Sequence, residues 1–280
     1  MAFSIVRDID ELHSTVASWR EKGAKTALVP TMGALHEGHL KLVRHGFARA
    51  SKVVTSIFVN PRQFAATEDL SRYPRDEEGD LEKLRAEGVD LVYAPAPSQV
   101  YPEGFATSVH MEGPAKAGLE DKFRPQFFDG VATIVCKLFT ASGADCAMFG
   151  EKDYQQLMVV KRMARDLNLP IEVVGVETER EADGLAMSSR NLYLSRQERH
   201  QASHLHRNLV QAAEKIRHGI KPQSASRAAA RSLATLGFKV DYFTARNAET
   251  LGLVEGENEP VRLLVAAWLG KTRLIDNIPV

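Results

Sequence analysis

TALVPTMGALHEGHL, at residues 26–40, is the stretch of sequence that decides the fold. Its first five residues form a short, largely apolar run, which predicts a buried strand. From residue 38 onward, apolar side chains recur with helical spacing at Leu40, Val43 and Phe47, so we expect a helix over residues 38–50. A strand, a glycine-bearing turn and a helix in this order are typical of a parallel α/β sheet.

The alternation of strand and helix patterns continues to about residue 175. Residues 53–59 (VVTSIFV) are rich in β-branched side chains and are followed by Asn60-Pro61, which predicts a second strand. Further strands are predicted at 90–94, 145–149 and 171–175, and further helices at 76–87, 129–140 and 154–167. Such alternation predicts parallel strands covered by helices on both faces, with ligands at the carboxyl ends of the strands.

The pattern changes after about residue 185. We expect one long helix over residues 195–218, opened by a capping box of Ser195 and Glu198, and a second helix over 223–236. Strand-like runs follow without alternation at 240–245, 261–268 and 272–278. The sequence therefore predicts an α/β protein with a parallel-sheet domain at 1–184 and a smaller α+β domain at 185–280.

Composition narrows the class of protein. Lys+Arg and Asp+Glu are equal at 36 each, so the chain lacks the net positive charge of a protein that binds nucleic acid mainly by electrostatic attraction. No apolar run approaches the roughly 20 residues that cross a bilayer, and the N-terminus does not resemble a signal peptide. We therefore expect a cytoplasmic protein without nucleic-acid or membrane partners.

Two histidines stand at the predicted start of the helix after the first strand. His36 and His39 are three residues apart, so both imidazoles can face the same ligand. Gly33 and Gly38 allow the backbone to come close to that ligand, and the helix start offers free N–H groups and a positive dipole end. This arrangement favours a nucleotide phosphate site.

Other interpretations of the two histidines compete with a phosphate site. Zinc prefers histidines at i and i+4 with a third ligand, and no third ligand is apparent nearby. Two histidines can also simply cap a helix. The pattern is neither a GxGxxG fingerprint nor a Walker A motif.

Two further segments carry groups suited to phosphate. Residues 150–153 (GEKD) follow a predicted strand, and Lys152 can reach phosphate oxygens while Asp153 can cap a helix or accept from a ribose hydroxyl. Residues 187–190 (MSSR) place two hydroxyls and a guanidinium beside the predicted domain join. Earlier in the chain, Gln63 and Arg124 are side chains suited to a polar substrate and to an anion, respectively. Capped turns and ordinary loops are the alternatives for each of these segments.

Long blocks of the chain together resemble the pantoate–β-alanine ligase family of the HIGH-motif nucleotidyltransferase superfamily. The match runs nearly end to end and keeps the order of the blocks. The blocks are LVPTMGALHEGHL, SIFVNPRQF, DLSRYPR, FFDGVATIVCKLF, FGEKDYQQL, DGLAMSSRNLYL and RLLVAAWLGKTRLIDNI.

The resemblance implies a Rossmann-like N-terminal domain, a smaller C-terminal lid domain and a homodimer. It implies a Mg²⁺-ATP reaction in which the carboxylate of pantoate attacks the α-phosphate, giving pantoyl adenylate and pyrophosphate. The amine of β-alanine then attacks the activated acyl carbon and releases AMP and pantothenate. No protein ligand for the metal is implied, because ATP phosphates and water can hold Mg²⁺.

The resemblance also implies roles for individual residues. It assigns His39 as the proton donor, with His36, Lys152 and Arg190 as the other catalytic residues. The residues implied to bind ATP are Met32, Gly33, Ala34, Leu35, His36, Glu37, Gly38, His39, Gly150, Glu151, Lys152, Asp153, Glu179, Met187, Ser188, Ser189 and Arg190. Those implied to hold pantoate are Pro30, Thr31, Asn60, Gln63, Arg124 and Gln156, and Gln63 is also implied to touch β-alanine.

The chain departs from the family pattern at a few positions. Phe127 stands near a position where the family commonly has a histidine, and Glu177 and Glu179 stand where Pro and Val are more usual. Three other functions share the histidine turn: a simple adenylyltransferase, an aminoacyl-tRNA synthetase-like enzyme and an ATP-binding sensor. The neutral charge and the absence of a recognisable tRNA-binding domain argue against the second of these.

Overall fold

The computed structural model describes residues 3–64, 70–256 and 258–280. Two compact units make up the chain, one of Met1–Gly150 with Gln156–Val176 and the other of Glu151–Gln155 with Glu177–Val280. The sequence placed the boundary after residue 184, and that division into 1–184 and 185–280 stays a prediction. Asp69, the first residue of the DLSRYPR block, lies outside the described residues.

The first unit is built on a six-stranded parallel sheet, as the alternating pattern predicts. Its strands are β1 (Ser4–Val6), β2 (Thr26–Thr31), β3 (Lys52–Ile57), β4 (Leu91–Tyr93), β5 (Cys146–Gly150) and β6 (Glu172–Val176). Their order in the sheet is β1-β4-β3-β2-β5-β6, so the direction of winding reverses between β2 and β5. A reversal of this kind opens a crevice at the carboxyl ends of the two strands, where ligands of Rossmann-like sheets bind.

Helices accompany these strands along the chain. They are α1 (Ile9–Glu21), α2 (Glu37–Phe47), α3 (Glu77–Ala86), α4 (Pro97–Val100), α5 (Glu120–Phe123), α6 (Phe127–Ser142) and α7 (Tyr154–Asp166). Ala27 and Val29 of β2 share a buried cluster with Val43 of α2 and Leu84 of α3. Leu28 between them is also buried, so β2 is covered on both faces, as expected for a strand in a parallel sheet.

The second unit combines helices with an antiparallel sheet. Its helices are α8 (Arg196–Ala202), α9 (His204–Arg217) and α10 (Pro222–Thr235), and its strands, in the order β7-β8-β9, are β7 (Lys239–Asn247), β8 (Val261–Leu269) and β9 (Thr272–Pro279). Leu209 of α9, Leu233 of α10 and Val265 of β8 lie in its core. This arrangement confirms the predicted α+β class.

One predicted helix is wrong. Residues 195–218 form two helices, because Ser203 ends α8 and serves as the N-cap of α9. The side-chain hydroxyl of Ser203 donates to the backbone carbonyl of His200; such a local bond competes with regular helix geometry. The predicted capping box of Ser195 and Glu198 is present at the start of α8.

None of the helices within residues 3–64, 70–256 and 258–280 is both long enough and apolar enough to cross a membrane.

Candidate active site

The histidine turn lies at the reversal point of the sheet. β2 ends at Thr31, the turn follows, and α2 begins at Glu37 with His36 as its N-cap. The start of α2, which carries the positive end of the helix dipole, therefore lies just beyond the turn that follows the carboxyl end of β2. This placement is the one in which a helix start serves as an anion site.

His36 and His39 are held by backbone groups of their own turn. Gly38 N–H donates to His36 Nδ1 at 3.2 Å, and His36 N–H donates to His39 Nδ1 at 3.3 Å. The two rings lie 4.1 Å apart between centroids, tilted by 41°. Together these contacts form a capping box in which both partners are histidines.

The capping contacts determine which ring nitrogen carries the proton. A backbone N–H can only donate, so Nδ1 of each neutral ring is an acceptor and Nε2 carries the hydrogen. Each imidazole thus has its N–H on the edge away from the helix backbone. Two such donors beside a helix start suit the oxygens of a phosphate group.

Asp80 of α3 fixes the backbone of the same turn, although sequence reasoning gave it no role. Its side chain is 1% exposed, and its two carboxylate oxygens accept from Ala34 N–H and Leu35 N–H, both at 2.7 Å. Lys83 Nζ donates to Leu35 O at 2.9 Å. A buried carboxylate that accepts two backbone N–H groups forms strong, charge-assisted bonds.

The two hydrogen bonds from the turn to the Asp80 carboxylate, here called the Asp80 clamp, accompany two unusual backbone conformations. Gly33 and Ala34 both have positive φ angles, 79° and 51°, and a Cβ at Gly33 would lie 3.1 Å from Asp80 Oδ2. Thr31 closes the other side of the turn, since its hydroxyl donates to Ser56 O at 2.7 Å and accepts from Gly33 N–H. Gly33 is therefore needed for a tight approach to Asp80, and the Thr31 hydroxyl already has two backbone partners.

A second group of predicted residues meets in the 3-10 turn Pro61–Gln63 that follows β3. Asn60 is its N-cap, and Asn60 Nδ2 donates to Gln63 Oε1 at 2.8 Å. Arg124 donates to the backbone carbonyl of Gln63 at 3.0 Å. The structure therefore brings Asn60, Gln63 and Arg124 together, and their role in binding pantoate stays a prediction.

Two neighbours shape this turn. A Cβ at Gly130 would lie 2.2 Å from Arg62 O, so only glycine allows α6 to pack this closely on the turn. The Arg124 guanidinium lies over the Phe127 ring, 3.6 Å from its centroid. Phe127, which departs from the family pattern, thus packs against one of the predicted substrate-binding residues.

Other predicted residues of the first unit differ in exposure. Pro30, Met32, Gly150 and Gln156 are each partly exposed. Glu37 is exposed and forms an ion pair with Arg44 on the surface of α2. Its carboxylate is therefore engaged outside the turn, and a contact of Glu37 with nucleotide would come from its backbone.

In the second unit, Glu151–Asp153 is anchored to β8 and β9. Asn277 Nδ2 donates to the backbone carbonyls of Glu151 and Lys152, both at 2.9 Å. Arg262 forms an ion pair with Glu151 at 2.9 Å and donates to Asn277 Oδ1 at 2.7 Å. Arg262 and Asn277 are both buried, so buried side chains of β8 and β9 hold the backbone that carries Lys152.

The loop before Ser188 is a short hairpin in the same unit. Arg180 pairs with Ala186 in an isolated bridge, and Met187 N–H donates to Glu179 O at 2.9 Å. Ser188 then caps the 3-10 turn Ser189–Tyr193, its hydroxyl accepting from Arg190 N–H. Glu179 thus meets Met187 through backbone atoms, a contact that does not depend on the unusual side chain at 179.

β9 supports both of these segments. Arg180 forms a two-pronged ion pair with Asp276, at 2.8 and 3.0 Å, and also donates to Gly184 O. Asp276 and Asn277 are adjacent on β9 and buried. One holds the hairpin that precedes Ser188, and the other holds the backbone of Lys152. Neither was singled out from the sequence, although both lie in the quoted block RLLVAAWLGKTRLIDNI.

Comparison with known proteins decides the family. The family model described as pantoate-beta-alanine ligase matches residues 4–279. The chain belongs to the pantoate–β-alanine ligase family. Pantothenate synthetase 2 of Bradyrhizobium diazoefficiens is 56% identical over 277 residues, which cover 99% of this chain and 98% of that protein. A pantothenate synthetase of Rhodopseudomonas palustris is 54% identical with the same coverage.

Solved structures of pantoate–β-alanine ligases share the fold. Pantothenate synthetase from Thermus thermophilus matches with a TM-score of 0.92 and 45% identity over 98% of both chains. The Francisella tularensis ligase, crystallised in complex with β-γ ATP and β-alanine, matches with a TM-score of 0.82 and 31% identity over 99% of this chain and 98% of that one. These matches confirm the predicted family, the Rossmann-like fold and the prediction that the chain is a ligase.

Proposed function

We propose that this ligase condenses pantoate with β-alanine to form pantothenate, by way of a pantoyl adenylate made from ATP. The observation that carries the proposal is the histidine pair, whose Nε2–H edges stand at the start of α2 at the reversal point of the sheet. The Francisella relative binds β-γ ATP and β-alanine, and both fit the two substrates that the reaction needs besides pantoate.

The first step activates the acid. A carboxylate oxygen of pantoate attacks the α-phosphorus of ATP, a new O–P bond forms, and the bond to the β-phosphate oxygen breaks to release pyrophosphate. Negative charge accumulates on the α-phosphate and on the leaving pyrophosphate, so fixed donors and cations lower the barrier. His36, His39, Lys152 and Arg190 are the residues proposed for this work, with His39 as the proton donor.

The second step forms the amide. The neutral amine of β-alanine attacks the acyl carbon of the adenylate, the C–N bond forms, and the C–O bond to AMP breaks. The amine loses one proton in this step. AMP is a far better leaving group than oxide, which is why the acid is adenylated first.

The remaining predicted residues are assigned by family correspondence. In the first unit, the turn at 32–39 and Gly150 are proposed to line the ATP site. Pantoate is assigned to Pro30, Thr31, Asn60, Gln63, Arg124 and Gln156, with Gln63 also touching β-alanine. In the second unit, the residues proposed for ATP are Glu151, Lys152, Asp153, Glu179, Met187, Ser188, Ser189 and Arg190. A backbone contact at Glu179 would survive the unusual side chain at that position, whereas a side-chain contact would not.

Magnesium is proposed to arrive with ATP. Among the described residues, no three His, Cys, Asp or Glu side chains group together in a way that could hold a metal ion. Mg²⁺ keeps several water ligands readily and binds phosphate oxygens, so a protein cage is not needed. We treat it as part of the Mg²⁺-ATP substrate.

Exchange of labelled pyrophosphate into ATP tests the adenylate. We expect exchange that requires pantoate and proceeds without β-alanine, followed by AMP release when β-alanine is added. A simple adenylyltransferase would need no amine, and an ATP-binding sensor would show no exchange. Absence of exchange in folded, ATP-binding protein would refute the proposal.

Family resemblance further supports a cytoplasmic homodimer. Light scattering coupled to size-exclusion chromatography would measure the mass of the assembly against the 31.0 kDa chain. A mass near one chain over a range of concentrations would contradict the dimer.

A further inference from the structure

Two backbone groups determine which way the Asn60 carboxamide points. Asn60 Nδ2 lies 3.1 Å from Gly130 O, which can only accept. Asn60 Oδ1 lies 3.3 Å from Arg62 N–H, which can only donate. Exchanging the amide oxygen and nitrogen would place the oxygen against Gly130 O and the N–H groups against Arg62 N–H, so these two contacts favour the observed orientation of Asn60. The side chain is 1% exposed, so water cannot replace these partners freely.

The orientation of Gln63 follows from that of Asn60. Asn60 Nδ2 donates to Gln63 Oε1 at 2.8 Å, so the oxygen of the Gln63 carboxamide faces inward. Its Nε2 is then the outward end, and in the described part of the chain no acceptor is paired with it. Gln63 therefore offers N–H donors to a ligand, which suits a substrate rich in carboxylate and hydroxyl oxygens.

Tyr101 completes this chain of hydrogen bonds from a distant loop. Its hydroxyl donates to Asn60 Oδ1 at 2.8 Å, across 41 residues of sequence. Burial raises the pKa of Tyr101 to about 12, so the hydroxyl keeps its proton and remains a donor near neutral pH.

The ring of Tyr101 is itself held in place. The Arg62 guanidinium lies 4.7 Å from the centroid of the Tyr101 ring and 4.8 Å from that of Phe105. The Tyr101 and Phe105 rings meet edge to face at 5.2 Å. Such cation–π and aromatic contacts persist when only the hydroxyl is removed.

We propose that Tyr101 is a positioning residue for the acid substrate: through Asn60 it holds the Gln63 carboxamide with Nε2 turned toward pantoate. The inference rests on the proposed function, because it takes pantoate as the ligand of Gln63. Of the two donors that hold Asn60 Oδ1, the Tyr101 hydroxyl makes the shorter bond, 2.8 Å against 3.3 Å. Without it, Asn60 Oδ1 keeps only the longer bond from Arg62 N–H, so the buried amide pair is held less firmly and Gln63 samples orientations that present oxygen to an oxygen-rich substrate.

Tyr101→Phe is the direct test, since it removes one oxygen and keeps the ring. In pantoate-dependent pyrophosphate exchange, we expect kcat/KM for pantoate to fall roughly fivefold, which corresponds to the net free energy of about one hydrogen bond. The KM for ATP should stay unchanged. Tyr93→Phe is the matched control, a buried tyrosine of the same unit, and we expect it to leave both parameters unchanged.

A double-mutant cycle separates positioning from general support of the fold. If Tyr101 acts through Gln63, then Tyr101→Phe causes no further loss of kcat/KM for pantoate in a Gln63→Ala background. An equal further loss in that background would overturn the proposal. So would an unchanged kcat/KM in the single Tyr101→Phe variant.

A readout without substrate keeps the two proposals distinguishable. In ¹⁵N-labelled protein, the side-chain amide signals of Asn60 and Gln63 should shift in Tyr101→Phe and stay in place in Tyr93→Phe, with the Gln63 signal assigned by its loss in Gln63→Ala. Unshifted signals would contradict the hydrogen-bonded relay even if the enzyme is active. Shifted signals together with absent pyrophosphate exchange in the wild type would support the relay and refute the proposed reaction.

Discussion

The two units position the side chains that are proposed to bind phosphate in different ways. In the first unit, each histidine of the turn accepts a hydrogen bond from a backbone N–H within three residues of itself. In the second unit, Lys152 depends on Asn277, 125 residues away, and the hairpin before Ser188 depends on Asp276, 96 residues from Arg180. The first arrangement is encoded locally and the second requires a folded sheet. Destabilising the second sheet should therefore affect Lys152 and Arg190 while leaving the orientation of the histidines intact.

Replacing a histidine of the turn tests the local arrangement and has the largest expected effect. His39→Ala removes one preorganised donor, and we expect kcat to fall about 10²–10³-fold. His45→Ala is the control, because His45 is exposed on the same helix and should retain wild-type kcat. Steady-state assays at saturating substrates measure both. A loss under about threefold for His39→Ala would remove this histidine from the catalytic role.

Breaking the Asp80 clamp tests whether the histidine turn also needs tertiary contacts for its stability. Asp80→Asn places an amide group against two backbone N–H donors, and we expect the free energy of unfolding to fall by about 2–3 kcal/mol. Urea denaturation of the full chain gives this value. Glu82→Gln, on the exposed face of the same helix, is the control and should change stability by less than about 0.5 kcal/mol. Equal stabilities of the Asp80 and Glu82 variants would show that the turn holds itself.

The long-range arrangement of the second unit can be broken at β9. Asn277→Asp sets a carboxylate against the carbonyls of Glu151 and Lys152, and we expect kcat/KM for ATP to fall about tenfold. The melting temperature and the ATP saturation curve are measured together. Asn258→Asp makes the same chemical change at an exposed site of this unit and serves as the control. If both variants bind ATP like the wild type, the anchor on β9 does not position Lys152.

The smallest effect is expected at the partly exposed ion pair of Arg199 and Asp183. Arg199, which donates to Asp183, lowers the pKa of that carboxyl. A lowered pKa stabilises the fold above the unfolded-state value, near 3.9, and this contribution is lost as the pH falls through the folded-state pKa. Asp183→Asn should therefore reduce stability at pH 7 by less than about 1 kcal/mol, since solvent screens the pair. Urea titrations at pH 7 and at about pH 2 should show a difference only at the higher pH.

Local patterns in the sequence predicted most of the fold. Strand and helix alternation gave the parallel sheet, and the shift to unalternated strands gave the smaller α+β unit. β1 was missed because its three residues are too few to show a period. The helix at 195–218 was predicted as one because helical spacing continues across Ser203, and only the local bond to His200 marks the break.

The candidate site was predicted where its residues are close in sequence. His36 and His39 could be paired from their spacing, and the GEKD and MSSR segments from their positions after a strand and beside a domain join. Asp80, Tyr101, Asp276 and Asn277 were not found, because a carboxylate, a phenol or an amide does not reveal its partner in a single sequence. Their signal is a buried polar side chain, and burial is known only after folding.

The sequence by itself determined most of the elements of this protein and the cap that orients its two histidines, because those interactions join residues that are close along the chain. Tertiary structure decided the rest of the site. The long-range hydrogen bonds that clamp the turn to Asp80, join Tyr101 to Asn60 and anchor Lys152 on β9 span 41 to 125 residues. Hydrogen bonds of that range form only when the sheets have already brought their donors and acceptors together, so they depend on the whole fold of each unit.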